Sequence, residues 1–394
     1  MNKKLTIGLF IDTYYPMVDG VISVVDNYAK RLKKYANVIV FAPKCAGKEF
    51  DDTKLGYKVV RCKSLKLQII DYSLPLPKLD KEFKKKIEES NLDIVHIHSP
   101  FAVGKMGIDY AKKHKIPVVA TMHSQFRKDF YRAVKSKILA KILTKVVIKQ
   151  FNRCDECWAV NKEVARIFKE DYKYKTMPKV MNNATEMLPV ENEKEAKEYI
   201  NKKYDIKDDE KVFLFVGRIN KLKNIFFIID SLKIIKEKYK NLKFKMLFVG
   251  SGQDEKELQK QIEKNNMKKE VILCGKVMNR QELAKYYSRA DLFLFPSLYD
   301  ASSIVQIEAA SQKTPGLFLR KAATSATVED RINGFLAEDS EEEYAKNIVE
   351  IINDKNLYEK VQKQCYNDLY KNWDDIIIEV YERYKNLIEG DDSN

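Results

Sequence analysis

Short apolar runs alternate with longer amphipathic stretches along almost the whole chain, and this pattern restricts the fold more than any other feature. In the first half the runs are residues 5–11, 38–42, 59–61, 94–97, 117–122 and 156–160. In the second half they are residues 212–216, 244–249, 271–274, 292–295 and 316–319. None shows the polar alternation of a half-exposed strand, so each reads as a strand covered on both faces. Between them lie helical patterns at 20–34, 223–239, 255–265 and 280–288. Strand–helix–strand alternation of this kind predicts an α/β protein with parallel, doubly wound sheets. There are strands enough for two.

The seam between the two sheets falls near residues 182–209, where Glu, Lys and Asp crowd residues 186–209 and no buried strand begins before Val212. We therefore expect a first domain over 1–180 and a second over 181–373. The last helix, 374–388, is expected to pack back on the first domain, and 389–394 to form a frayed acidic tail.

Composition narrows the functional classes. With 45% hydrophobic and 33% charged residues the chain can bury a large core. The apolar stretch at 5–10 is cut by Asp12, too short for a signal-peptide core, and no later stretch approaches the ~18 apolar residues of a membrane span. Six cysteines (Cys45, Cys62, Cys154, Cys157, Cys274, Cys365) do not make a disulfide framework, and a cytoplasmic location is expected. The net charge of +15 is unevenly spread: residues 1–180 hold 37 Lys plus Arg against 19 Asp plus Glu, whereas the remainder holds 35 against 38. An excess confined to one half suits a polyanion, either nucleic acid or an anionic membrane, although a lysine-rich composition alone produces the same number. No base-stacking or helix-insertion motif accompanies the charge, so no nucleic-acid partner is expected.

Two strand–loop–helix junctions in the second half are suited to a diphosphate. In Phe215-Val216-Gly217-Arg218-Ile219-Asn220-Lys221-Leu222-Lys223-Asn224 a guanidinium and an ammonium follow a strand end near a helix start. Arg218 can hold phosphate oxygens bidentately while Lys223 supplies a point charge. Phe248-Val249-Gly250-Ser251-Gly252 is either a second phosphate-facing turn or only a tight turn. A third element runs from Pro296 through Asp300, Ser302, Ser303 and Ile304 to Glu308. Its carboxylates can accept ribose hydroxyls and its small residues let amides approach a phosphate; alternatively Asp300, Ser302 and Ser303 are a helix cap and Glu308 a surface residue.

The ordered set Gly-Arg…Lys-Asn, Val-Gly-Ser-Gly, Gly275-Lys276-Val277, Ala-Asp-Leu-Phe-Leu-Phe-Pro-Ser and carboxylate-x7-Glu resembles family 4 retaining glycosyltransferases of the GT-B fold. In the first half, Tyr15-Pro16-Met17-Val18-Asp19-Gly20-Val21, His96-Ile97-His98-Ser99-Pro100-Phe101 and Thr121-Met122-His123-Ser124 resemble the same family, in the forms of its diacylglycerol glucosyltransferase-like branch. The resemblance covers residues 4–388. It implies two Rossmann-like domains facing a cleft, the first binding the acceptor and the second a nucleotide-sugar donor. It also implies that Arg218 and Lys223 neutralise the departing diphosphate, that Glu308 holds the ribose, and that Asp300 and the amides of Ser302, Ser303 and Ile304 hold sugar and phosphate. Gly20 would admit the diphosphate or the acceptor, Gly250, Gly252 and Val277 would line the donor, and His123 would hydrogen-bond the donor sugar. Two departures stand out: Asp300 replaces the family's usual Glu, and Ser303-Ile304 replace a Phe-Gly-like pair. Either can alter the sugar accepted or weaken catalysis.

The resulting expectation is transfer of a sugar from a UDP-sugar to a membrane lipid such as diacylglycerol, without metal or other cofactor, since no Asp-x-Asp is present. Alternative acceptors are a polyprenyl-linked glycan or a soluble sugar, and a non-catalytic partner protein of the same fold is the rival outside the enzyme class. No oligomeric state is implied. Asp19 and His98 are candidates for the acceptor side. Cys154-x-x-Cys157 lacks a second pair and reads as structural, and His96 and His98 read as polar lining rather than metal ligands. Finally, residues 126–153 carry nine basic residues against one acid, Asp129. Lys137, Lys141, Lys145 and Lys149 form one helical ridge beside two apolar ridges, Phe130/Val134/Ile138/Ile142/Val146 and Leu139/Leu143/Val147/Phe151. Either the apolar ridges pack on the sheet and the lysines are solvated, or the helix lies on the anionic inner face of the membrane as a peripheral anchor.

Overall fold

Every one of the eleven apolar runs becomes a strand. The computed structural model describes residues 4–17, 19–66 and 73–390. Val18 of the first loop motif and residues 391–394 of the expected tail lie outside the described residues. The chain divides into two units, Met1–Asn183 with Trp373–Asn394, and Ala184–Asn372.

Unit 1 is built on β1 (Thr6–Phe10), β2 (Asn37–Pro43), β3 (Lys58–Cys62), β6 (Ile94–Ile97), β7 (Val118–Met122), β8 (Glu156–Ala159) and β9 (Lys179–Val180), in the order β3-β2-β1-β6-β7-β8-β9. All neighbours in it are parallel. A separate antiparallel pair, β4 (Ser64–Lys66) and β5 (Ser73–Pro75), follows β3. Unit 2 carries β10 (Lys211–Val216), β11 (Phe244–Val249), β12 (Val271–Gly275), β13 (Leu292–Phe295), β14 (Gly316–Leu319) and β15 (Phe335–Ala337), ordered β12-β11-β10-β13-β14-β15 and again parallel throughout. β4, β5, β9 and β15, two or three residues long, have no counterpart among the apolar runs. The strand order reverses between β1 and β6 in unit 1 and between β10 and β13 in unit 2. In open α/β sheets ligands bind outside the carboxyl ends of the strands at such reversals.

The helix Trp373–Glu389 belongs to unit 1. Arg383 pairs with Glu156 of β8, Asp374 lies 3.2 Å from Lys34, and Tyr384 stacks on Trp158 with centroids 5.6 Å apart.

Two expectations about helices are corrected. Residues 126–153 are not one helix but two, Phe126–Val134 and Lys137–Phe151: Lys135 adopts φ 54° and Ser136 caps the second helix by accepting from Leu139 N–H. The pattern at 223–239 starts as a 3₁₀ turn, Lys221–Lys223, and the α-helix begins only at Ile225 after Asn224 in a left-handed conformation. Lys223 therefore sits on a turn, not on a helix.

A buried carboxylate ties the reversal point of unit 1 together. The helix Ala102–His114 has no side-chain cap of its own. Asp12, beyond the end of β1, supplies it: Oδ1 accepts from Val103 N–H at 2.7 Å, and Oδ2 from Ser99 Oγ at 2.7 Å and from the amides of Phe101 and Gly104. Ser99 Oγ also accepts from Asp12 N–H. A Cβ on Gly104 would stand 1.7 Å from Ser99 O, so only glycine lets the helix start this close. Replacing Asp12 by Ala leaves these donors buried and unpaired. The expected loss is about 2–3 kcal/mol of unfolding free energy, read from urea denaturation, with Asp12→Asn recovering part of it.

Candidate active site

In unit 2 the loops after β10 and β13 emerge side by side at the reversal, because β10 pairs with β13. There Lys223 Nζ forms an ion pair with Asp300 Oδ1 and lies 5.8 Å from the centroid of the Phe295 ring. Ser297 Oγ donates to Asp300 Oδ2 at 2.6 Å. The structure thus joins two of the expected residues and adds Ser297, which its position in a strand-end loop did not reveal. Arg218 is exposed and makes no ion pair with another described residue, so its guanidinium is open to an anion. Ser302, Ser303 and Ile304 lead into the helix Ile304–Ser311, whose first amides have no side-chain cap.

Glu308 is not a surface residue: it is 3% exposed. Arg280 pairs with its Oε1 and Tyr287 Oη donates to its Oε2 at 2.9 Å. Two acceptor positions of the carboxylate are thereby filled, and a carboxylate has further lone pairs to accept with. Arg280 and Tyr287 lie 28 and 21 residues upstream of Glu308, and no local pattern links them to it.

The glycines of the second junction answer to backbone packing. A Cβ on Gly250 would meet Gly217 O at 1.8 Å, and one on Gly252 would meet Ile219 O at 2.1 Å. Gly250 N–H donates to Gly275 O, and Ile219 N–H to Ser251 O. These residues clamp the ends of β10, β11 and β12 together, and the half-buried Val277 packs against the core beside them.

In unit 1, Asp19 Oδ1 accepts from Ile22 N–H at 2.8 Å, which makes it the cap of the helix Gly20–Leu32. A Cβ on Gly20 would meet nothing within 4 Å, so the space in front of this helix start is open. The end of β6 and the loops after β6 and β7 hold an imidazole cluster. His96 is fully buried, with Nδ1 2.5 Å from Tyr384 Oη and Nε2 2.7 Å from Thr121 Oγ1. It holds the returning helix and lines no site, contrary to expectation. His98 is also buried, with Nδ1 3.1 Å from Nε2 of the half-buried His123. The sequence did not reveal a groove of about 1060 Å³ at the carboxyl ends of β2 and β3. Tyr15 and Phe50 stack in its wall at 5.2 Å, Asp52 grips Arg61 through two bonds of 2.7 Å, and Lys44, Lys48 and Lys63 line it without an ion pair to another described residue.

On the helix Lys137–Phe151 the buried face is Ala140, Thr144, Val147, Ile148 and Phe151. Only half of the second apolar ridge faces inward. The first ridge is outside: Ile138 is 76% exposed, Ile142 51% and Val146 56%, with Lys137, Lys141, Lys145 and Lys149 exposed beside them. Among the described residues no helix is long and apolar enough to cross a membrane, and no group of three or more His, Cys, Asp or Glu could hold a metal ion. Cys154 and Cys157 are buried free thiols; the neighbouring Cys157 and burial both push the Cys154 thiol up.

Two parallel sheets, with Arg218, Lys223 and Asp300 on the loops at the reversal point of the second, are the architecture of the GT-B fold, and comparison with known proteins makes the chain a glycosyltransferase. Residues 196–368 match the family model "Glycosyl transferases group 1" and residues 18–184 match "Glycosyltransferase Family 4". Each half of the chain thus carries a glycosyltransferase domain. It is 27% identical over 363 residues to an alpha-monoglucosyldiacylglycerol synthase of Acholeplasma laidlawii, covering 88% of each chain. The enzyme of the same name from Streptococcus pneumoniae is 26% identical over 84% of this chain and 75% of that one. Among solved structures, Anabaena HepE in complex with UDP-glucose superposes with a TM-score of 0.76 at 15% identity, over 98% of this chain and all of that one.

The imidazole cluster makes stability depend on pH. Burial holds His96 and His98 well below the ordinary histidine range and His123 at about 3. In the unfolded chain these groups take up protons below pH ~6.5, so the unfolded state binds more protons than the folded one. Stability is therefore full above pH ~6.5 and is lost as pH falls below it. Unfolding free energies from urea denaturation at pH 7 and pH 5 should drop on acidification, by at most ~2 kcal/mol per imidazole, and less in His96→Gln than in the wild type.

Proposed function

We propose that the protein transfers a hexosyl group from a UDP-sugar to diacylglycerol, with retention of configuration, at a membrane surface. The observation that carries the donor side is the crevice of unit 2, where the open guanidinium of Arg218, the Lys223–Asp300 pair and the buried Glu308 surround the strand reversal. The relatives named for monoglucosyldiacylglycerol synthesis support the acceptor, and the UDP-glucose complex of a protein with the same fold supports the base.

In this reading the leaving diphosphate gathers negative charge as the glycosidic bond to the donor breaks. Arg218 and Lys223 stabilise that charge where it develops. Before the donor arrives, Asp300 neutralises Lys223. A bound phosphate takes over that role and leaves Asp300 an oxygen for a sugar hydroxyl. Glu308, held in one plane by Arg280 and Tyr287, accepts the ribose hydroxyls. His123 donates to or accepts from a sugar oxygen. Gly20 leaves room for substrate at its helix start, and the groove beside Tyr15 and Phe50 takes the acceptor. Cationic side chains do the neutralising, so turnover needs no divalent ion.

A second acceptor class has its own support. Lys44, Lys48 and Lys63 in the groove suit a phosphate-bearing lipid, and a relative from Escherichia coli, 25% identical over 77% of this chain, is named for galactosyl transfer to a diphosphoundecaprenol-linked sugar.

A panel of labelled UDP-, GDP- and ADP-sugars offered with diacylglycerol or with a polyprenyl-diphosphate sugar, in the presence of chelator, tests the reading. Label should pass from a UDP-sugar to diacylglycerol, and Arg218→Ala and Lys223→Ala should each lower turnover by ~10²-fold with the fold intact. Near-wild-type turnover in the double variant, or activity that requires added manganese, refutes the donor site as described.

The exposed apolar ridge Ile138/Ile142/Val146 between lysines is proposed to rest on anionic lipid. Sedimentation with vesicles should show binding that rises with anionic lipid and falls with salt. Changing Lys137, Lys141, Lys145 and Lys149 to Glu should abolish it, whereas equal binding to neutral vesicles would rule out this mode.

A further inference from the structure

His98 and His123 face each other through one nitrogen each, Nδ1 of His98 and Nε2 of His123, 3.1 Å apart. Their rings lie nearly parallel, at 23°. Desolvation keeps both imidazoles neutral at physiological pH. Two neutral imidazoles meeting in this way share a single proton: one of the two nitrogens donates and the other accepts. Which one donates decides what His123 offers on its other side, because a neutral imidazole that accepts at Nε2 carries its proton on Nδ1.

The far nitrogen of His98 breaks the tie. Nε2 is buried and has no protein partner. If it carried the proton, an N–H would be sealed in the interior without an acceptor; the Tyr28 ring packed against His98, at 88° and 5.4 Å, would be at best a weak one. If it is bare, only a lone pair goes unused. Buried orphan donors are the rarer and costlier of the two. His98 therefore keeps its proton on Nδ1 and donates it. The His98 ring is not free to turn over: it lies at 30° to the His96 ring with centroids 4.1 Å apart, and His96 is itself pinned by Tyr384 and Thr121. Nδ1 of His123 makes no hydrogen bond to another described residue, so it is the atom left for substrate.

We infer that His98 is a positioning residue: by donating from Nδ1 to Nε2 of His123 it fixes the tautomer in which His123 presents an Nδ1–H donor to an oxygen of the hexose. The inference rests on the reading that His123 meets the sugar-bearing substrate. It makes His98 part of the reaction without touching substrate, and it gives Tyr384, almost three hundred residues away in sequence, a place in the same chain of contacts.

Long-range ¹H–¹⁵N spectra of the labelled full-length protein decide the tautomers directly. In the wild type, Nδ1 should be the protonated nitrogen in both His98 and His123. Kinetics then separate donation from shape. In His98→Asn the amide nitrogen falls where Nδ1 was and can still donate, so kcat should stay within ~3-fold of wild type. In His98→Phe the ring shape remains but the donor is gone. There kcat should fall ~10-fold or more, the donor KM should hold within ~2-fold, and the proton of His123 should move to Nε2. A wild-type His123 protonated on Nε2 overturns the inference, as do equal rates in the Asn and Phe variants. If His98→Phe does not fold, the wild-type spectrum alone decides. His123→Ala is measured alongside: an unchanged kcat there removes the underlying reading of His123, whereas a reduced kcat with an indifferent His98 removes only the role given to His98.

Discussion

A parallel strand cannot return to its neighbour through a hairpin, and this constraint governs the whole structure. Each strand must be followed by a crossover, the crossovers cover both faces of the sheet, and the strands between them become apolar throughout. Where the order of strands reverses, consecutive crossovers part and leave a crevice at the carboxyl ends. In unit 1 that crevice receives Asp12, Gly20 and His98 from the loops after β1 and β6. In unit 2 it receives Lys223 and Asp300 from the loops after β10 and β13. The chemistry is gathered by topology before any side chain is chosen.

The charged groups at these crevices are paired in advance. Lys223 has Asp300, and Glu308 has Arg280 and Tyr287. An isolated charge taken out of water is costly, and a partner offsets that cost while holding the group in one orientation. Arg218 is the exception. It is exposed and makes no ion pair with another described residue, so it can turn toward an anion without breaking one. The proposed donor site thus holds its geometry with some of its charges and has one exposed guanidinium left over.

The legible and illegible parts of the sequence divide along the same physical lines. Runs such as 212–216 and 244–249 were readable because burial on both faces leaves a strand almost wholly apolar, Lys245 being the one charge within these two. The Gly-Arg…Lys-Asn and carboxylate-x7-Glu spacings were readable because each lies within one short segment joining a strand end to the next helix. Contacts closed by the tertiary fold left no trace: Asp12 capping a helix ninety residues on, Arg280 reaching Glu308, and Tyr384 bonding His96. Glu308 read equally well as a surface residue because its partners come from another helix. The helix at 126–153 read as continuous because Lys135, a good helix former, takes a left-handed conformation that Ser136 then exploits as a cap. The two apolar ridges looked alike in sequence, and only the packing of Ala140 and Thr144 against the unit shows which one faces out.

The helix Trp373–Glu389 returns to unit 1 after the whole of unit 2 has intervened. Its Arg383 closes on Glu156, and its Tyr384 fills the space between Trp158 and His96. On the ribosome, where domains form as their residues emerge, the unit made first is thus the unit completed last. Its seven-stranded sheet must wait, with a buried tryptophan and a buried imidazole lacking their partner, until residues 373–389 have been synthesised. Unit 2, contiguous from Ala184 to Asn372, has all its residues available earlier. The order of assembly is the reverse of the order of translation.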